Sequence, residues 1–501
     1  MQMLIARPDG KTQGRLLRAI WLSIVAALVL APLLASRIVV STDGPSHVYN
    51  AFVQSSLRID AQSPLAVAFV VDPGAPARGL FQPLVQFLGP RLGWFTAERL
   101  LAASTVLFLF LSLVWLLGAT RLDLLLLAAW FASSWFVGMG FYDFAMSLVF
   151  FVLLLRIFRE PPTAKRMLLA NVLVLGAWLT HSFTLCASVA VFAAWWLSLR
   201  VHGTVMTSSL AWILPAVLLL FEALVLSGVG GSGYSWISVV RQVAGVVVSD
   251  HLVSFSRADM AAGITVTTLV LYGAWRGARL GLFSGPAGTV AVAGIVLTFL
   301  SIVAPDAIGD GSYIVTRLRI LGALCILPVV ASSLAPSRRG IRVASALVLG
   351  GSLAAHGVAV VRAAGLVERD LDAVISDLRA LGARPQDSID AQLEDWEYGQ
   401  FRISGYLHLV DRAALQLRLI SLRNYEADLS IFPVRWRTRP LRLAYRADGQ
   451  VLRVDVAEPK GLLRRVFVVH DCSSKLASNY EMRTRCADRL GVTMIEPIPG
   501  N

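Results

Sequence analysis

The sequence predicts an all-α polytopic membrane protein of about eleven transmembrane helices, followed by a small C-terminal α/β domain. Three observations predict it. Of 501 residues, 56% are hydrophobic and only 15% are Asp, Glu, Lys or Arg, where a soluble domain carries about 25% charged residues. Long apolar runs recur as far as residue 362, several of them shorter than the roughly 20 residues needed to cross hydrocarbon. The charge then divides the chain. Residues 1–362 hold 25 basic and 13 acidic side chains, and residues 363–501 hold 20 and 19. The first part is too apolar for a soluble fold. The second has the composition of an ordinary small soluble domain.

The N-terminus reads Arg7, Lys11, Arg15, Arg18 and then runs apolar to about Ser36. No small-residue cleavage site is evident, so this is expected to be a retained first helix and not a signal peptide. Its basic flank places the N-terminus in the cytoplasm. Further spans are predicted near 97–118, 122–140, 144–158, 167–180, 183–199, 204–227, 260–275, 285–303, 313–334 and 341–362. Arg121, Arg156, Lys165, Arg166, Arg200, Arg276, Arg279, Arg338, Arg339 and Arg342 all fall on the same, cytoplasmic side of that count. An odd number of spans leaves residues 363–501 outside. The net charge of +13 lies almost wholly in short membrane loops, where it sets topology. It forms no basic face for nucleic acid.

Most of the 13 acids before residue 362 map to the outer side, as do His47, His181 and His251. A transporter with alternating access more often places ionisable groups at the midplane, so this pattern suits a site open to the outer face. The most informative stretch is the first outer loop, residues 39–93. It opens Ser41-Thr42-Asp43-Gly44-Pro45-Ser46-His47-Val48-Tyr49-Asn50. Pro45 suits the first turn of a helix. On that helix Asp43 and His47 stand one turn apart and can share a proton. The alternative is an ordinary helix cap at Asp43 with a surface imidazole at His47. The rest of this loop is apolar and broken by prolines, as expected of short helices lying on the membrane surface.

Later outer turns add candidates. Asp143 follows an aromatic turn, and is either a helix cap or a site residue. His181 sits at the next outer turn, with a core or interfacial role as the alternative. Asp306 and Asp310 precede Arg317 and Arg319, two cations inside the outer end of a span, where they need compensation. Their partner is one of those carboxylates or a phosphate, which the Arg fork grips in bidentate fashion. The four cysteines show no metal-site spacing. Cys472 and Cys486, in an outer domain, would meet an oxidising compartment and are expected to pair. Two separate buried thiols are the alternative.

These features together resemble the GT-C superfamily of polytopic glycosyltransferases. That resemblance rests on Asp43 just after the first span, on the long loop to Gly93, and on a domain after the last span. Asp-Gly-Pro-Ser-His-x-Tyr-Asn, Gly309-Asp-Gly-Ser-Tyr313 and Asn424-Tyr-Glu-Ala427 resemble uncharacterised bacterial membrane proteins. Many GT-C members carry two adjacent acids where this chain has Asp43-Gly44. The resemblance implies transfer from a polyprenyl-phosphate sugar at the outer face of a bacterial cytoplasmic membrane. Membrane lipid and lipid-linked sugar are the implied partners, with no nucleic acid. No cofactor is expected beyond the donor, and no divalent metal is implied. Asp43 would act as base with His47 beside it, and Arg317 or Arg319 would meet the phosphate. Asp143, His181, Asp306 and Asp310 would complete the substrate site. Residues 366–380 read as an amphipathic helix, and 440–456 and 465–470 as strands. The segment 401–434, with His408, Tyr425 and Glu426, either closes the site or is a structural cover. A lipid-linked glycan polymerase or ligase, a flippase and a non-catalytic envelope protein are the competing functions.

Overall fold

A computed structural model describes residues 10–72, 79–160, 163–201, 213–227, 233–308, 312–334, 339–385, 387–393, 402–429, 432–437, 444–448, 451–455, 465–472, 475–478, 481–486 and 489–496. The chain is mostly helical, with a small strand region at its C-terminal end. Six helices are long and apolar enough to cross a membrane among the described residues: Arg15–Leu34, Trp94–Leu117, Leu122–Met139, Pro286–Val303, Ile314–Leu334 and Arg339–Ala380. This makes it a multi-pass membrane protein. Helices also cover the other segments that the hydropathy singled out, at Tyr142–Phe158, Ala164–Thr180, Ser182–Val201, Ile213–Ser227 and Arg257–Arg279. The predicted last span 341–362 and the amphipathic stretch 366–380 lie on one helix, Arg339–Ala380.

The chain divides into two compact units. The first comprises Met1–Leu34, Ala103–Val137 and Asp143–Ala359. Its core is aromatic and aliphatic, with Trp130, Trp135, Phe136 and Trp195 fully buried. Leu168, Leu220, Leu271 and Phe299 remain exposed, as expected of surfaces meeting lipid tails. The helices Pro286–Val303 and Ile314–Leu334 cross closely. A Cβ on Gly294 would lie 2.6 Å from the Gly322 carbonyl oxygen, so small residues set this contact. Helix ends follow local rules. Ser256 and Asp259 form a capping box on Arg257–Arg279, whose last turn carries Arg276 and Arg279.

The second unit comprises Ala35–Ala102, Gly138–Tyr142 and Val360–Asn501. It joins the first outer loop to the C-terminal residues. A five-stranded sheet runs in the order Glu481–Arg485, Leu490–Glu496, Val466–Asp471, Ser388–Gln392, Ile420–Ser421. Its central strand Val466–Asp471 is buried along almost its whole length, which explains the unbroken Val-Phe-Val-Val run. A second sheet holds Lys475–Ser478, Val451–Asp455 and Ala444–Asp448. Phe69–Val71 of the loop pairs antiparallel with Val434–Trp436, and the Phe69 and Trp436 rings stack at 4.5 Å. A disulfide joins Cys472 and Cys486, with Cα atoms 6.0 Å apart.

Candidate functional site

Asp43 precedes the helix Gly44–Ile59, which buries Val48, Tyr49, Phe52 and Val53. Its backbone is fixed from the other side, where Thr42 N–H donates to the Gly138 carbonyl at 3.1 Å and Asp43 N–H to Met139 at 2.8 Å. Gly44 and Gly140 permit this approach. A Cβ on Gly44 would meet Ser41 Oγ at 2.2 Å, and the Glu98 carboxylate and Tyr142 hydroxyl at 2.8 Å. Gly140 has φ +82°, and a Cβ there would meet Gly44 N at 2.2 Å. A side chain at 44 would have to displace Ser41, Glu98 or Tyr142.

Beneath Gly44 lies a buried ion pair. Arg412 donates to Glu98 Oε2 at 3.0 Å and Oε1 at 3.3 Å, and to the Val39 carbonyl at 2.6 Å. Tyr142 hydroxyl adds a 3.1 Å hydrogen bond to Glu98. These contacts hold the start of the loop against the helix Leu409–Leu417.

The Asp43 carboxylate makes no capping hydrogen bond to its own helix. It faces His408 instead, Oδ1 to Nε2 at 3.8 Å, and Tyr425 hydrogen-bonds to it. His408 Nδ1 stands 2.8 Å from Asp411 Oδ2. This is a charge contact, off the line of an ideal hydrogen bond. Asp411 Oδ1 accepts from Ser421 Oγ. Ser421 N–H donates in turn to Tyr49 OH at 3.0 Å, and Tyr49 OH donates to the Leu419 carbonyl at 2.8 Å. Burial pushes the Tyr49 hydroxyl well up in proton affinity, so it stays a donor.

His47 lies one turn on, its N–H donating to the Asp43 carbonyl at 3.2 Å. Its imidazole interacts electrostatically with the Asp43 carboxylate and also faces Glu426. Nδ1 is 2.5 Å from Glu426 Oε1, and the other Glu426 oxygen accepts from Asn50 at 2.6 Å. Four rings form an arc around the carboxylates: His408–Tyr425 at 5.3 Å, Tyr425–Phe432 at 6.5 Å and Phe432–His47 at 5.9 Å. The Glu426 and Asp411 side chains are fully buried, whereas Asp43 keeps 15% and His47 18% exposure. Tyr425 and Phe432 are half-buried, so these four side chains keep some exposure among the described residues of the arc. Burial raises the Asp43 carboxyl above its ordinary value. The His408 and His47 charges oppose the rise, Glu426 adds to it, and the Tyr425 hydrogen bond opposes it.

The other predicted residues lie in the first unit. Arg319 is buried and engaged: it pairs with Asp250 and donates to the Gln242 carbonyl at 3.1 Å and to its side chain. Arg317 lies over the Phe144 ring at 5.4 Å, with Asp306 as an electrostatic partner. His181 meets the same ring edge-on at 5.1 Å. It ends the helix Ala164–Thr180, and its Nδ1 accepts from Phe183 N–H at 3.2 Å. Asp143 sits in the first turn of Tyr142–Phe158. Asp310 lies outside the described residues. Among the described residues no group of three or more His, Cys, Asp or Glu is arranged to hold a metal ion. Sequence reasoning had missed Asp411 and Arg412. Both lie in Leu-Val-Asp-Arg, a run with a helical period and no motif to mark it.

No family model matches the chain, and no curated protein matches it. Among solved structures it is similar to the single-particle cryo-EM structure of the arabinofuranosyltransferase AftD from Mycobacteria, with a TM-score of 0.49 and 14% identity. The match covers 95% of this chain and 40% of that one, so this chain spans well under half the length of that protein.

Proposed function

We propose that the protein is an inverting membrane glycosyltransferase that takes a sugar from a polyprenyl-phosphate donor at the outer face of a bacterial cytoplasmic membrane. The observation that carries this reading is the Asp43 carboxylate. It is not used as a helix cap, it is partly exposed, and it stands between two imidazoles in a pocket that raises its proton affinity. Such a group suits general-base catalysis. Asp43 takes the proton of the acceptor hydroxyl. The acceptor oxygen bonds to the anomeric carbon as the bond from that carbon to the phosphate oxygen breaks, and the electron pair leaves on the lipid phosphate. One displacement inverts the anomeric centre. Half-buried Tyr425 and Phe432 offer flat apolar faces beside the base, which suit the C–H face of a sugar. For the donor phosphate the candidates are Arg317, packed over the Phe144 ring, and Arg319, paired with Asp250. The apolar membrane-spanning helices would take the isoprenoid tail.

The topology belongs to the same proposal. Residues 35–102 and 360–501 share one compact unit, which favours placing both on one side of the membrane, and the basic cytoplasmic loops make that side the outer one.

The test is transfer from a panel of labelled polyprenyl-phosphate sugars by the purified protein in liposomes, wild type against Asp43→Asn. Asp43→Asn should lose about 10²–10⁴-fold in turnover while inserting and eluting like wild type. Near-normal turnover by Asp43→Asn would remove it as the base. Absence of turnover by wild type with every donor would refute the glycosyltransferase reading.

A further inference from the structure

We propose that His408, held by Asp411, is the positioning residue that keeps Asp43 ionised and aimed at the mouth of the site. The proposal rests on the reading of Asp43 as a base, and it assigns how that base is kept ready.

The geometry carries it. His408 is the residue before the helix Leu409–Leu417, and its side chain is only 6% exposed. Its two ring nitrogens face two different carboxylates, Asp43 at 3.8 Å through Nε2 and Asp411 at 2.8 Å through Nδ1. A neutral imidazole has one N–H and one lone pair, so it would present a lone pair to one carboxylate. Both contacts are electrostatic, and carboxylates at both nitrogens favour positive charge on the ring between them. Asp411 is fully buried and fixed by Ser421, and Ser421 is fixed by Tyr49. That chain ends at the Leu419 carbonyl. It provides no route for a proton to leave. It anchors a fixed negative charge behind the imidazole, and Asp43 meets the positive side. After transfer, the proton gained by Asp43 leaves through its own exposed edge.

The other groups facing Asp43 serve differently. His47 opposes the rise of the Asp43 carboxyl and Glu426 adds to it, and the two stand 2.5 Å apart. Tyr425 contributes a hydrogen bond and closes the arc against His408. Removing the His408 charge therefore leaves burial and Glu426 to act on Asp43 with less opposition. The carboxyl should then hold its proton to higher pH.

Two readouts test this. The first is the acid limb of transferase activity against pH. The second needs no activity: the pH dependence of carbodiimide and glycine ethyl ester labelling of Asp43 in the full-length protein, followed by mass spectrometry of its peptide. His408→Gln should move both midpoints to higher pH, by about 1–3 pH units for loss of a neighbouring opposite charge. Asp411→Asn, a smaller change in shape, should move them the same way by less. The double variant should move them no further than His408→Gln alone. If both single variants elute and melt like wild type and leave the labelling midpoint in place or lower it, the proposal is wrong. If the labelling midpoint rises as stated but no donor is turned over by wild type, the positioning role stands and the glycosyltransferase reading falls. If wild type transfers sugar, Asp43→Asn does not, and His408→Gln leaves both midpoints unchanged, the reverse holds.

Discussion

Replacing Arg412 by Ala is the sharpest test of how the start of the first outer loop is held. Its side chain is 2% exposed and that of Glu98 is 0% exposed. The guanidinium makes two hydrogen bonds to Glu98 and one to the Val39 carbonyl. Truncation would leave a carboxylate with neither water nor cation. Breaking a buried pair from one side costs about 3–5 kcal/mol. For a unit of a couple of hundred residues each kcal/mol lowers the melting temperature by about 2–4 °C, so Arg412→Ala should lose roughly 6–20 °C. The measurement is intrinsic tryptophan fluorescence on heating in one detergent at one pH. Trp436 against Phe69 and Trp94 against Phe52 report on this unit. The pair itself is a weak net stabiliser, since replacing both charges with apolar groups is often neutral. Glu98→Met with Arg412→Met should therefore recover most of the loss. A fall below about 2 °C for Arg412→Ala, or a double variant as unstable as the single one, would refute this account.

Gly44→Ala should destabilise by about 1–3 kcal/mol through overpacking, because its Cβ would strike Ser41, Glu98 and Tyr142; the same melting experiment reads it. Cys472→Ser with Cys486→Ser should cost about 2–4 kcal/mol, chiefly by freeing the unfolded chain, and thiol titration of the denatured, unreduced protein should find only Cys186 and Cys325. Because burial raises the Asp43 carboxyl, the group is still protonated at pH values where an ordinary carboxylate, of pKa about 3.9, is ionised. Activity should therefore fall on acidification with a midpoint above that value, and a midpoint at or below it would contradict a buried base.

Part of this was legible in the sequence because membrane folding leaves strong local signals. The apolar runs mark the helices, and Asp43 stands out as an acid just beyond the first run. The turn between Asp43 and His47 follows from Pro45 and four-residue spacing. What the sequence could not show is where side chains meet across long separations. Spacing brings His47 to Asp43, but nothing local signals that Glu426 also reaches its imidazole. Arg319 and Arg317 looked equivalent two residues apart, and only packing distinguishes them, because Asp250 and Gln242 reach one and Phe144 the other. The composition changes near 362 while the helical periodicity does not, so the span at 341–362 and the amphipathic stretch 366–380 join in one helix. Glu98 was visible as an outer acid, but nothing in the local sequence names Arg412 as its counter-charge.

The pairing of Asn50 with Glu426 spans 376 residues, and this has a consequence for biogenesis. At about 5–20 residues per second, the ribosome needs roughly 20–75 s to supply Glu426 after it has supplied Asn50. Through that interval Glu98 lacks Arg412, Phe69–Val71 offers an unpaired strand edge, and Asp43 has no imidazole from residue 408. The nascent loop is then a set of charges and an open edge awaiting the last quarter of the chain. Synthesis stopped before residue 402 should yield a protein with most of its helices inserted and no assembled site. The loop would be the segment most exposed to proteases and chaperones until the terminal residues arrive.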